Sequence, residues 1–151
     1  MPCSRQKALL KLFSASPKNK VAIMDTLITN DVRVSVETFF QPKYSNTDRQ
    51  EFVFAYRITI ENLNPFTVRL LRRHWIIFDA HSEYREVEGE GVVGQQPILE
   101  PGNVHQYVSW SNLKCEMGSM RGTYTFARLD TDELFEVDIP VFRLIAPYRL
   151  N

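Results

Sequence analysis

The sequence predicts an all-β protein, an antiparallel β-sandwich of about seven strands. Three observations predict it. From Val32 onward apolar side chains recur with a period of two, the repeat of strands that bury one face. No helical period of useful length interrupts them between Val32 and Asn151. Clusters of Asn, Asp, Gly and Pro separate the runs at fairly regular spacing, as turns do between the strands of a sandwich.

The 151 residues fit one domain, and 44% apolar with 12% aromatic residues is enough to fill a single core. Residues 1–24 stand apart from the rest. Arg5, Lys7, Lys11, Lys18 and Lys20 place five positive charges and no acid in the first 20 positions. Leu9, Leu10, Leu12 and Phe13 could form a short basic amphipathic helix ended by Ser14-Ala15-Ser16-Pro17. A flexible tail, a membrane-surface or targeting helix, and an extension outside the working protein all fit this segment, and Met24-Asp25 could serve as a second start. The expectation is a basic N-terminal extension over 1–24 and a folded domain over 28–150.

Val32, Val34, Val36 and Thr38 alternate with Arg33, Ser35, Glu37 and Phe39, the pattern of a half-buried strand. A turn-rich stretch, Pro42 to Asp48, follows. From Glu51 to Glu61, the side chains of Phe52, Phe54, Tyr56, Ile58 and Ile60 share one face, and five large apolar groups in a row must lie against a core. Asn62-Leu63-Asn64-Pro65 makes a turn. The strand from Val68 to Asp79 changes parity along its length, because Val68 and Leu70 fall on one face and Trp75 and Ile77 on the other. A bulge near Arg72-Arg73 reconciles them, with Trp75 toward the core.

Asp79-Ala80-His81-Ser82 reads as a turn and Tyr84 to Glu88 as a short polar strand. This strand enters a loop from Gly89 to Gly102, whose four glycines and two prolines frame a small apolar centre. Glycine permits positive φ and close approach while proline fixes φ, so the loop is expected to be ordered. Beyond it, residues 104–109 alternate, and Gly118 to Phe126 place Met120, Tyr124 and Phe126 inward. Leu129 to Glu133 is an acidic hairpin turn. The last strand turns Phe135, Val137, Ile139 and Val141 inward, with Pro140 at an edge or bulge position. The expected core is Phe52, Phe54, Tyr56, Ile58, Ile60, Tyr124, Phe126, Val137 and Ile139.

Composition narrows the function classes. The net charge is zero, but beyond residue 20 there are 13 basic and 18 acidic residues, an unfavourable balance for holding nucleic acid. No apolar run approaches the roughly 20 residues of a membrane span. Cys3 and Cys115 lie far apart, so no structural disulfide is expected, and a reduced cytoplasmic setting is the simplest.

Gly89-x-Gly91-x-x-Gly94 matches the dinucleotide fingerprint as a string. That chemistry needs a following helix to present amides to pyrophosphate, and Gln95-Gln96-Pro97 does not open one. A glycine nest could still bind an anion without a helix. His74, His81 and His105 lack zinc-site spacing. Asp79-x-His81-x-Glu83 is the best metal-ligand spacing, yet such turn residues are ordinarily solvated, so no metal and no cofactor are assigned. Arg57, Arg69, Arg72 and Arg73 form a basic group that reads either as a partner-binding face or as cross-strand pairing with Glu83, Glu86, Glu88 and Glu90. No nucleophile elbow, HExxH, Walker A or CxxC pair occurs.

The run Glu88 to Gly102 is similar to the signature of the bacterial ApaG family. Phe52 to Ile60, Arg73-His74-Trp75-Ile76-Ile77, Met120 to Tyr124 and Asp138 to Leu144 follow in that family's order, so the resemblance covers about residues 28–150. Trp110 departs from it, standing where bacterial members commonly carry glycine. The resemblance implies a fibronectin type III-like or immunoglobulin-like sandwich. It also implies a link to cobalt tolerance and magnesium efflux, and a domain reused in a eukaryotic F-box protein and a DNA-polymerase-delta-interacting protein. It defines no catalytic residues; Gly89, Gly91 and Gly94 match its glycine motif. The expectation is therefore a non-catalytic module that binds an unidentified protein partner or a second copy through a sheet face or edge. The alternative is nucleotide or pyrophosphate binding, or an enzyme, built on the Gly89–Gly94 loop.

Overall fold

The computed structural model describes residues 24–81 and 83–149. The basic segment read from residues 1–24 lies outside the described residues, apart from Met24, and so does Ser82. Nine strands are described: β1 (Met24–Thr29), β2 (Val32–Phe40), β3 (Phe52–Asn62), β4 (Val68–Asp79), β5 (Glu83–Glu90), β6 (Ile98–Leu99), β7 (Val104–Leu113), β8 (Met117–Arg128) and β9 (Leu134–Ile145). All pairings are antiparallel. Sheet I has the order β1-β2-β3-β7, and sheet II the order β5-β4-β8-β9 with β6 added to β4. Among the described residues no helix is long and apolar enough to cross a membrane.

The period-two runs become the inner faces. Val32, Val34 and Val36 of β2 and Phe52, Phe54, Tyr56, Ile58 and Ile60 of β3 are buried. They face Val68, Leu70, Trp75 and Ile77 of β4, Met120, Tyr124 and Phe126 of β8, and Val137, Ile139, Phe142 and Leu144 of β9. Trp75 sits at the centre, edge-on to Phe142 at 5.9 Å and to Tyr56 at 5.7 Å between ring centroids. At about 25 cal/mol per Å² of apolar surface removed from water, this aromatic cluster is a leading contribution to the core.

Both irregularities expected from the sequence occur as bulges. The β4–β8 register slips between Leu70 and Arg72, so Leu71 is the extra residue, one position before the expected pair. Parity changes there, which is how Leu70 and Trp75 both face inward. In β9, Pro140 and Val141 stand opposite Arg121 alone, between the pairs Gly122–Ile139 and Met120–Phe142. This corrects one expectation: the bulge turns Val141 outward, 60% exposed, and Phe142 takes its place in the core. Phe135 is half-buried and stacks on Phe126.

β1 and β6 are not apparent in the sequence pattern. β1 pairs with β2 from Met24↔Glu37 to Thr29↔Val32, so sheet I begins four residues before position 28. At one side of the sandwich β1 lies near β9, where Asn30 donates to the Glu136 carbonyl at 2.7 Å. At the other side the edge strands are β7 and β5, bridged by Arg85, which donates to the Asn112 carbonyl at 3.2 Å.

Candidate functional site

Between β7 and β5 the two sheets part and leave an open cleft of about 330 Å³. Its polar lining comes from four strands: Tyr56 of β3, Arg73 of β4, Arg85 of β5, and Ser109 and Ser111 of β7. Trp75, Ile77, Val87 and Met120 supply an apolar floor. The β4 bulge is what brings Arg73 here, since it puts Arg73, Trp75 and Ile77 on the inner face beside Gly89, Val87 and Arg85 of β5. Arg85 closes one end, with Nη2 donating to Ser111 Oγ at 3.3 Å. Tyr56 shares a hydrogen bond with the Ser109 hydroxyl.

The glycine loop organises Arg73. Its Nη1 donates at 2.9 Å to the carbonyls of both Glu90 and Gly91. A Cβ at Gly89 would stand 2.9 Å from Nη1, so the missing side chain is the space across which the guanidinium lies. Gly91 has φ +60°, and a Cβ there would meet the Gln95 carbonyl oxygen at 2.2 Å. Val93 and Gly94 follow, both at positive φ, in a tight turn closed by Val92 and Gln95, and Val92 drops into the core. The amides of Gly91, Val92 and Gln95 donate to the carbonyls of Leu71, Gln95 and Val92. The loop therefore presents carbonyl oxygens to a cation, with these three amides directed into the backbone.

The structure does not gather Arg57, Arg69, Arg72 and Arg73 into one face. Arg57 lies on sheet I and pairs with Glu37, its Nε donating to the carboxylate at 2.6 Å. Arg69 and Arg72 lie on the outer side of sheet II, Arg72 in register with Glu90, while Arg73 faces inward. Among the described residues no carboxylate lies within ion-pair distance of Arg73 or Arg85. The spacing Asp79-x-His81-x-Glu83 does not assemble a ligand set. The buried Asp79 carboxylate accepts the backbone N–H groups of His81 and Lys114, and Glu83 pairs with Lys114 Nζ. His74, Glu86 and Glu88 do converge on the outer face of sheet II, each offering a ligand atom within 4.8 Å of the others. Both glutamates there are exposed. Cys115 is half-buried and free in the β7–β8 turn, and Cys3 lies outside the described residues.

Beneath the cleft, Tyr107 and Tyr124 join hydroxyl to hydroxyl inside the core. Burial pushes both phenols well above their usual range, and Tyr56 is raised for the same reason, with Ser109 and Arg73 acting the other way. Burial lowers His105. These are groups held neutral by their surroundings.

The four sheet edges differ in kind. β5 carries Glu83, Arg85, Glu86, Glu88 and Glu90; β9 carries Pro140 and a bulge; β1 is six residues long and runs beside β9. β7 is ten residues long, pairs with β3 in unbroken register from Phe52↔Leu113 to Glu61↔Val104, and contains no charged residue, proline or glycine. Charges, prolines, bulges and short length are the devices that keep an edge from accepting another strand. β7 has none of them.

The family model described as the ApaG domain matches residues 42–128, from the end of β2 to the end of β8. The chain belongs to the ApaG family. An ApaG protein of Acidithiobacillus ferrooxidans is 48% identical over 116 residues, covering 77% of this chain and 91% of its own length. One of Proteus mirabilis is 44% identical over 124 residues, covering 82% and 98%. Among solved structures, a Bordetella pertussis protein described as ApaA superposes with a TM-score of 0.74 at 38% identity, covering 85% of this chain and 98% of its own. The ApaG domain match contains the whole cleft, the glycine loop and β7. The sandwich read from the strand pattern is thus the ApaG fold. Arg85, Ser109 and Ser111 were not singled out by the sequence, because nothing in their local pattern shows that β5 and β7 meet across a gap.

Proposed function

We propose that this chain is a non-catalytic interaction module, and that its partner adds an extended segment to the edge of β7 that pairs with no strand among the described residues. The observation that carries this reading is the β7 edge itself: ten residues in unbroken register with no guarding charge, proline or bulge. Strand addition of this kind draws affinity from backbone hydrogen bonds and specificity from alternate side chains entering adjacent pockets.

A binding role rather than turnover is supported by the chemistry of the cleft. Tyr56 and Arg85 are the groups bonded to Ser109 and Ser111, and neither is a base able to activate a hydroxyl. The phenols below are held protonated. The cobalt tolerance and magnesium efflux linked to the family are exercised, in this reading, through the partner, with no residue assigned to ion handling. The glycine loop has its role within the chain, as the seat of Arg73.

Site-resolved photo-crosslinking tests this. A photoreactive residue at Gln106 of β7 is expected to capture one discrete partner in cells, and the same group at Thr123, on the outer face of sheet II, is expected not to. An adduct of twice the chain's mass would identify the partner as a second copy. Equal capture from Thr123, or none from Gln106, contradicts the proposal.

A further inference from the structure

The cleft poses a question that the β7 edge does not answer. Arg73 uses Nη1 on two carbonyls, and its remaining N–H donors, on Nε and Nη2, have no acceptor among the described residues. Arg85 donates from Nη2 to a hydroxyl and a carbonyl, both neutral. Two guanidinium groups thus line one partly enclosed space with no carboxylate to balance them. Arg73 is half-buried and Arg85 exposed at the cleft mouth, so their unbalanced positive charges attract an anion to an accessible site.

We propose that the cleft binds a small organic carboxylate with an apolar body. Its anionic head is held by the guanidinium groups of the lining, Arg73 beside the glycine loop or Arg85 beside Ser111, and its body rests on Trp75, Ile77, Val87 and Met120. The planar fork of arginine matches the two oxygens of a carboxylate, and the hydroxyls of Ser109 and Tyr56 belong to the same lining. The volume of about 330 Å³ is at the small end of ligand pockets, sized for a fragment of a few carbons beyond the carboxylate. The apolar floor disfavours a ligand that is charged throughout. A triphosphate would bring more negative charge than two arginines balance, with no helix N-terminus to share it.

The structural logic reaches back to the glycine motif. Gly89 leaves the space in which Arg73 lies flat, and the Glu90 and Gly91 carbonyls fix its orientation before any ligand arrives. Held this way, the guanidinium loses little freedom on binding, which is the condition for useful affinity from few contacts. This inference concerns the cavity alone and stands or falls separately from strand addition at β7.

The test is a titration of the full chain followed by backbone and indole N–H shifts in NMR, with hexanoate and benzoate as probes. Saturable shifts are expected at Ser109, Ser111 and the Trp75 indole, reached at roughly 20 mM, above the millimolar affinity typical of fragment-sized ligands. Hexanamide, which keeps the body and removes the charge, is expected to give none. Arg85→Gln should weaken hexanoate about ten-fold or more, the usual loss of a charged hydrogen bond, while the amide spectrum stays that of the folded chain. Because Arg73 also seats the glycine loop, Arg73→Lys is the second variant; it keeps the charge, loses the fork and is expected to weaken binding similarly.

Absence of saturable shifts with either carboxylate would overturn the proposal. So would equal binding of hexanamide, shifts confined to the outer face of sheet II, or tighter binding of inorganic phosphate or ATP than of hexanoate. A blocked peptide with a central glutamate that binds more tightly than either probe would transfer the site to a partner's acidic side chain and overturn the small-molecule assignment.

Discussion

Gly91→Ala is predicted to destabilise the fold more than Gly94→Ala, though both glycines have positive φ. Gly91 lies at φ +60° and Gly94 at φ +74°. Placing an alanine in that left-handed region costs about 1–2 kcal/mol at either position. The two differ in what a methyl group would meet. At Gly94 nothing lies within 4 Å, whereas at Gly91 the Cβ would stand 2.2 Å from the Gln95 carbonyl oxygen. That oxygen accepts the Val92 N–H at 2.8 Å. To reach ordinary contact it must retreat by about 1 Å, which breaks a bond worth about 0.5–1.5 kcal/mol net and loosens the turn that holds Val92 in the core. Gly91→Ala should therefore cost about 2–3 kcal/mol, against about 1–2 for Gly94→Ala. At about 3–4 °C per kcal/mol for a chain of this size, the melting midpoint should fall by roughly 6–12 °C and 3–8 °C respectively. Scanning calorimetry of the full chain and both variants measures this. Equal shifts, or a Gly91→Ala midpoint within about 2 °C of the parent, would refute the steric reasoning.

Four further outcomes follow from the packing. Asn62 is fully buried, donates to the Phe66 and Leu99 carbonyls and accepts from Asn64 N–H, so Asn62→Ala removes three buried or part-buried hydrogen bonds to the backbone. It should cost about 3 kcal/mol or more in urea unfolding with an unchanged slope. Tyr124→Phe orphans the Tyr107 hydroxyl and should cost about 1–3 kcal/mol, while adding Tyr107→Phe should recover part of that loss in a double-mutant cycle. The buried phenols of Tyr56, Tyr107 and Tyr124 lie above their unfolded value of 10.0, so their contribution is complete below that pH and is lost as pH rises beyond it. Tyrosinate absorbance from these three should appear only together with unfolding. His105 has the opposite sign. Its value is lowered from 6.5, so stability should fall as pH drops below that point, and His105→Gln should flatten this part of the profile.

The architecture was legible because a half-buried strand writes its burial into every second residue. β3 is the clearest case, with five alternate side chains all buried. Even the parity change in β4 could be located to within about a residue of Leu71, since a Trp and a Leu cannot both reach the core without a bulge. The misses have physical reasons too. β1 is an exposed edge strand and carries little burial signal. Val141 continued the alternation of β9, but Pro140 moved the parity by one beyond it, a shift whose direction a single strand does not reveal. The site was less legible than the fold. The four arginines were close in chain position but fell on different faces, because the position of a side chain across a sheet depends on pairing partners. The glycine motif was recognisable as a loop, whereas its carbonyl contacts with Arg73 required the β4–β5 register. The charge-free stretch from 104 to 113 is also present in the sequence itself.

The central claim is that a partner pairs with β7, and backbone amide hydrogen exchange measured on the full chain with and without the crosslink-identified partner tests it most directly. Strand addition predicts that slowed exchange is concentrated in β7, from Val104 to Leu113, with the outer face of sheet II unchanged. Protection confined to β4 and β5 around Arg72, His74, Glu86 and Glu88, with β7 exchanging as in the free chain, would contradict it.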